Sequence, residues 1–311
     1  MSNKILFWLG TRGSPLALWQ AERVQSLLRE KRPDVTIELV PIQTTGDKIL
    51  DKPLVQVGGK GVFTKEIELA LLKRKVDFAV HSFKDLPTQL PEGLAIICIP
   101  ERDSPFDALF SRRGLSLKSL PKNPLVATGS LRRRAQVLAV RPDAQVIDVR
   151  GNVNTRLRKY RESDWDGLIM AMAGIRRMGW EEQIAGILST EEMLPAPAQG
   201  ALAVEARADD ADTRELLLEI HDETTAAGVR AERAFLSTLE GGCQVPIGAY
   251  AMRQEETITL EGLIATLDGA LVIRERISGP VHESASLGIR LAETVLAKGG
   301  SEIIEQLKSG K

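Results

Sequence analysis

Along the chain, short runs of β-branched and aliphatic residues alternate with segments in which apolar residues return every three or four positions. Strands and amphipathic helices are therefore expected in turn. Residues 5–9, 35–40 and 76–80 read as strands, with helices from Pro15 and over about 65–75 between them, a βαβαβ order. In the first helix Ala17, Ala21, Val24 and Leu28 share a face, and Ser14-Pro15 supplies an N-cap and a first-turn proline. A second series follows the proline-rich stretch 119–124, with strand-like runs at 125–127, 146–149 and 168–172, each leading into a helical pattern. A further strand is expected at 201–206, then long helical patterns to residue 240. The last seventy or so residues change character: alternating strands at 258–264 and 271–277, then a helix from about 286, predict a small α+β unit. Residues 44–62 fit neither period and are longer than most structureless connections, so a lid or a disordered segment is expected there.

At 311 residues the chain exceeds one ordinary core, which points to two or three domains. The 43% hydrophobic and 27% charged composition is that of a folded globular protein. Two cysteines cannot build a disulfide framework, and three scattered histidines lack metal-ligand spacing, so no structural zinc is expected. The apolar run at the N-terminus is too short for a signal peptide and no later run is long enough for a membrane span, so the cytoplasm is the expected location. The net charge of −1 hides an asymmetry: residues 112–177 hold fifteen Lys and Arg against five Asp and Glu. A middle domain built to meet anions has this pattern.

Two strand-to-helix junctions resemble one another, Gly-Thr-Arg-Gly-Ser-Pro (10–15) and Ala-Thr-Gly-Ser-Leu-Arg-Arg-Arg (127–134). Each sets Gly-Ser at a helix N-terminus, where free N–H groups, a hydroxyl and the helix dipole suit an anion, and Arg12, Arg132 and Arg133 add charge. The plain alternative is two N-caps with solvated arginines. Two such lobes would line a cleft for an anion. Arg150, Arg156, Arg176 and Arg177 extend the basic set, and guanidinium forks match carboxylates or phosphates. Nucleic acid is disfavoured because no aromatic residues interleave with these cations. The Gly-Gly-Lys-Gly stretch (58–61) fails as a phosphate loop, since Leu54 stands where a glycine is needed and no Ser or Thr follows Lys60.

His-Ser-Phe-Lys-Asp-Leu-Pro (81–87) follows a strand, where α/β lobes place their polar groups. Asp85 is the acid–base candidate, with a solvated carboxylate beside Lys84 as its alternative; His81 reads as structural. Cys98 lies in an apolar run and reads as a small buried hydrophobe. Cys243, after two glycines, is either an inert loop thiol or a nucleophile. A cysteine hydrolase would need a positioned histidine, and neither His221 nor His282 sits in such a motif.

These stretches, with Val-Gly-Gly-Lys-Gly-Val-Phe (57–63), Arg-Gly-Asn-Val-Asn-Thr-Arg (150–156), Ala-Gly-Ile-Arg-Arg (173–177) and Glu-Gly-Gly-Cys-Gln-Val-Pro-Ile-Gly (240–248), resemble the porphobilinogen deaminase (hydroxymethylbilane synthase) family across nearly the whole chain. The resemblance implies two lobes like those of type II periplasmic binding proteins plus a small C-terminal α+β domain. The first lobe would take residues 1–100 and 199–220, the second, basic lobe 101–198, and the α+β domain 221–311. It implies a dipyrromethane cofactor held through a thioether to Cys243. On that primer four porphobilinogen molecules are added head to tail with loss of ammonia, and hydroxymethylbilane is released by hydrolysis. Asp85 matches the family's catalytic aspartate, which would balance positive charge on pyrrole nitrogens. Arg12, Ser14, Lys84, Ser130, Arg132, Arg133, Arg150, Arg156, Arg177 and Gln199 match cofactor and substrate contacts, with Lys60 and Phe63 at the lid loop. The partners implied are porphobilinogen, the growing pyrrole chain and the next pathway enzyme, with no nucleic acid and no membrane; a monomer is expected. Two departures stand out: Gly129 where many members have serine, and Ala198 where a glycine often precedes Gln-Gly. The competing readings are an anion-binding protein without chemistry, which needs neither Asp85 nor Cys243, and the thiol hydrolase.

Overall fold

The computed structural model describes residues 4–48, 64–239 and 245–309. The chain divides into two compact units, Met1–Asp103 with Ala201–Ala226, and Ser104–Gly200 with Ala227–Lys311. No helix of the described residues is long and apolar enough to cross a membrane.

The first unit is built on strands β1 (Leu6–Thr11), β2 (Thr36–Pro41), β3 (Phe78–Ser82) and β4 (Leu94–Cys98), with a late strand, β10 (Leu202–Arg207), inserted between β3 and β4. The order is β2-β1-β3-β10-β4; β1 runs parallel to β2 and β3, and β10 is antiparallel to both its neighbours. Helix α1 (Pro15–Lys31) buries the expected Ala17, Ala21, Val24 and Leu28, together with Gln20. Ala21, Val24 and Leu28 join Phe7, Leu9, Phe78 and Val204 in one core, to which α7 (Ala211–Leu218) adds Leu216 and Leu217. A short helix, α2 (Thr45–Lys48), follows β2; α3 (Lys65–Leu72) packs Ile67 and Leu71 with Val76 and Ala79. Strand β1 starts after Ile5, whose side chain is 67% exposed, and runs on to Thr11 because Gly10 and Thr11 still pair with Val40 and Pro41.

In the second unit β5 (Asp107–Ser111), β6 (Leu125–Ala127), β7 (Gln145–Ile147), β8 (Gly167–Ala171) and β9 (Gly186–Ile187) form a sheet of order β7-β6-β8-β5-β9, with α4 (Leu131–Val140), α5 (Val153–Glu162) and α6 (Met172–Arg177) between its strands. The first sheet's plan recurs: a parallel βαβαβ core of which β5, antiparallel to β8, is the added strand. Both sheets thus have the expected topology of type II periplasmic-binding-protein lobes. The same unit holds an antiparallel sheet of β11 (Ile247–Gln254), β12 (Thr257–Ala265) and β13 (Val272–Pro280). Helices α8 (Glu223–Thr238), α9 (Ser284–Val295) and α10 (Ser301–Ser309) complete the chain, and Phe235, Leu287, Leu291 and Ile303 pack with the strands in one core. At the tip of the β12–β13 hairpin, Gly269 has φ +70, and a Cβ there would lie 2.4 Å from the Ala135 carbonyl oxygen of α4. The hairpin backbone therefore rests directly on the α4 backbone.

Candidate active site

Both Gly-Ser junctions form the caps that the sequence predicts. Ser14 Oγ accepts from the Ala17 N–H at 3.3 Å at the start of α1, and Ser130 Oγ accepts from the Arg133 N–H at 3.5 Å at the start of α4. Asn152 does the same for α5, accepting from Thr155 N at 2.9 Å. Each cap satisfies one of the free N–H groups of its first helical turn. Gly129 has a physical reason: the Val149 carbonyl oxygen lies 2.5 Å from where its Cβ would stand.

After β3 the chain enters a 3₁₀ turn, Phe83–Asp85. Its flanks are pinned. The Phe83 N–H donates to Ala201 O at 3.1 Å, the Phe83 and Leu86 side chains are buried, and Ser82 Oγ accepts from Gln20 Nε2 at 2.7 Å. Lys84 is half-buried and Asp85 is exposed, and among the described residues no hydrogen bond or ion pair engages the Asp85 carboxylate. His81 is structural as expected: it is buried, with Nε2 3.0 Å from Glu205 Oε2. His221 Nδ1 accepts from Ile99 N at 3.2 Å, which commits that ring to a backbone contact. Arg12 is half-buried.

In the second unit the arginines divide into two groups. Arg150, Arg156 and Arg177 are exposed or half-buried and lean on backbone or surface acceptors: Arg150 Nε on Asp148 Oδ2 at 3.0 Å, Arg156 Nε on Gly151 O at 2.8 Å, Arg177 Nη2 on Gly200 O at 3.3 Å. Arg132 and Arg133 are buried, and with Gln199 they converge on Asp107. Burial alone would raise the Asp107 pKa, but the charges and hydrogen bonds of the two arginines outweigh it and hold the carboxyl well below the usual range. Burial in turn pulls the Arg132 pKa down.

Sequence reasoning missed Asp107, because an acidic residue after a loop reads as solvated; its partners lie 25, 26 and 92 positions away. It also missed Glu232, a fully buried carboxylate on α8 that accepts from the Ala198 and Ala251 N–H groups. The only available signal for either was an acid next to apolar residues. Lys60, Phe63 and Cys243 lie outside the described residues, as does most of the 44–62 loop.

The residues present suit a group bearing several carboxylates: capped helix N-termini, a run of arginines, and on Arg132 a buried Nε that no described group accepts. Among the described residues no cluster of His, Cys, Asp or Glu could hold a metal ion. Residues 7–215 match the family described as porphobilinogen deaminase, dipyrromethane cofactor binding domain, and residues 226–297 its C-terminal domain. The chain belongs to the porphobilinogen deaminase family. It is 51% identical to the porphobilinogen deaminase of Syntrophotalea carbinolica over 299 residues, 96% of this chain and 95% of that one. It is 48% identical to the porphobilinogen deaminase of Desulforamulus reducens over 311 residues, the full length of both. Among solved structures the L-cystine solute receptor of Neisseria gonorrhoeae is similar over 75% of this chain and 92% of that chain, at 15% identity and TM-score 0.42. As a porphobilinogen deaminase family member the chain is a transferase of porphyrin biosynthesis, with a dipyrromethane cofactor.

Proposed function

We propose that this chain joins four porphobilinogen molecules head to tail, each with loss of ammonia, and releases hydroxymethylbilane by hydrolysis, and that Asp85 is its catalytic carboxylate. The observation that carries the assignment is the turn after β3: buried neighbours fix its backbone, while the Asp85 carboxylate stands exposed and uncommitted among the described residues. When the amino group of porphobilinogen leaves as ammonia, positive charge develops on the pyrrole system. A fixed carboxylate stabilises that charge and can take up the proton released when the new bond forms. The acetate and propionate groups of the pyrroles are met by Arg12, Ser14, Lys84, Ser130, Arg132, Arg150, Arg156 and Arg177, while Arg133 and Gln199, expected as direct contacts, spend their donors on Asp107 and backbone carbonyls and act behind Arg132. Side-chain charge and helix N-termini both favour carboxylates there. Cys243 would hold the dipyrromethane cofactor through a thioether, and the cofactor would supply the pyrrole position at which joining begins. Lys60 and Phe63 we assign to steering incoming substrate.

We further assign the three functional parts to 1–100 with 199–220, 101–198 and 221–311, and propose a cytoplasmic monomer that passes its product to the next enzyme of the pathway; gel filtration tests the monomer. For Asp85 the test is Asp85→Asn. The variant is expected to keep its cofactor, read as intact mass, and to lose turnover by about 10²-fold or more. Turnover close to wild type would remove Asp85 from the mechanism.

A further inference from the structure

Two adjacent buried arginines repel one another, and each long side chain must be fixed before it can select an anion. In the second unit one carboxylate does both. Asp107 Oδ2 accepts from Arg132 Nη1 at 2.7 Å; Oδ1 accepts from Arg133 Nε at 3.1 Å, Arg133 Nη2 at 2.8 Å and Gln199 Nε2 at 2.9 Å. Arg132 Nη1 also donates to Leu194 O at 2.7 Å, and Arg133 Nη1 to Ile169 O at 3.2 Å. These bonds spend one end of Arg132. Its Nε and Nη2 make no hydrogen bond among the described residues, and Nε is buried. Nε and Nη2 form an edge of the guanidinium that matches the two oxygens of a carboxylate.

We propose that Asp107 is a positioning residue for the reaction, fixing Arg132 so that its unspent Nε–Nη2 edge meets a pyrrole carboxylate. The proposal rests on the reading of Arg132 as a carboxylate contact. Asp107 touches no reacting atom and acts through Arg132; Gln199 and Arg133 brace the carboxylate from the opposite oxygen. Two guanidinium groups against one carboxylate leave a single net positive charge in the cluster, enough to attract an anion without two unbalanced cations in the core.

Asp107→Asn removes the counter-charge and risks the fold, so the informative partner is Asp107→Glu, which keeps the charge and displaces the arginines by on the order of 1 Å. In Asp107→Glu with a wild-type unfolding midpoint, the KM for porphobilinogen is expected to rise, kcat/KM to fall about 10²-fold, and the fraction of protein carrying cofactor, measured by intact mass, to drop. In an Arg132→Gln background the same change is expected to have no further effect on kcat/KM, a dependence that a merely structural role lacks. A folded Asp107→Glu with unchanged KM and cofactor occupancy overturns the proposal, as do additive losses in the double variant or failure of both Asp107 variants to fold. If Arg132→Gln alone leaves KM and occupancy unchanged, the underlying reading of Arg132 fails, and the proposal with it.

Discussion

The Glu232 carboxylate accepts the Ala198 backbone N–H at 2.6 Å, and Ala198 sits at φ +61 with its methyl group fully buried. An alanine in the left-handed region costs about 1 kcal/mol or more, and here a buried charge-assisted hydrogen bond holds it. Ala198→Gly releases that strain while losing a buried methyl, so its stability is expected to stay within about 1 kcal/mol of wild type. Ala198→Val adds β-branching and volume where neither fits, and is expected to cost about 2 kcal/mol or more. Denaturant unfolding of the two variants checks the contrast; equal stabilities would mean that the φ of Ala198 carries no strain.

A thiol count tests the cofactor linkage. The chain has two cysteines, and burial pushes the Cys98 thiol up to about 12, which leaves it unreactive in the folded protein. Cofactor-bearing protein is expected to release one titratable thiol on denaturation, and protein prepared without cofactor two. Active wild-type protein that yields two thiols contradicts the thioether at Cys243.

The helix caps were legible in the sequence because their signals are local: Ser14 and Ser130 each act on a backbone N–H three residues away. Strand β6 matched its expected span for a similar reason, being a short apolar run bounded by turn residues. Strands β5 and β11 were missed; the first opens on a charged residue and the second ends on Arg-Gln, so neither shows clean alternation. The Asp107 cluster was illegible as a cluster. Its arginines read as anion contacts in the sequence, but nothing within a helical turn of Asp107 announces partners brought in from α4 and from Gln199.

Glu68 gives a pH-dependent signature in the first unit. Burial raises its pKa above 4.5; Thr64 draws it back in part, the Glu205 carboxylate raises it further, and His81 lowers it slightly. A carboxyl with a raised folded-state pKa favours folding in its protonated form. That contribution is complete below the ordinary value of 4.5 and is lost as pH rises through the folded value. Glu68→Gln, neutral at every pH, is therefore expected to raise the Tm at pH 8 by about 2 °C or more and to change it little near pH 4. A gain that is the same at both pH values would show that the carboxyl is not the cause.

Gly269 and Gly114 share a positive φ, +70 and +64, but only Gly269 has backbone within reach of an added Cβ. Gly114→Ala is expected to cost about 1 kcal/mol, from conformation alone. Gly269→Ala should cost about 2–3 kcal/mol and raise the KM, because the hairpin must lift from α4 three residues beyond Arg132. Unfolding curves and steady-state kinetics of the pair measure both effects.

The insertion of β10 between β3 and β4 bears on how the protein is made. During synthesis the first four strands leave the ribosome without the strand that joins β3 to β4, because Leu202–Arg207 is translated only after the whole of the second lobe's sheet. Until then the facing edges of β3 and β4 have unpaired backbone groups, and the core around Phe78 lacks Val204 and Ala206. The nascent first unit must therefore wait, partly open, for a segment more than a hundred residues downstream of β3. Sheet closure at that distance is slow, and it exposes strand edges to other chains in the meantime.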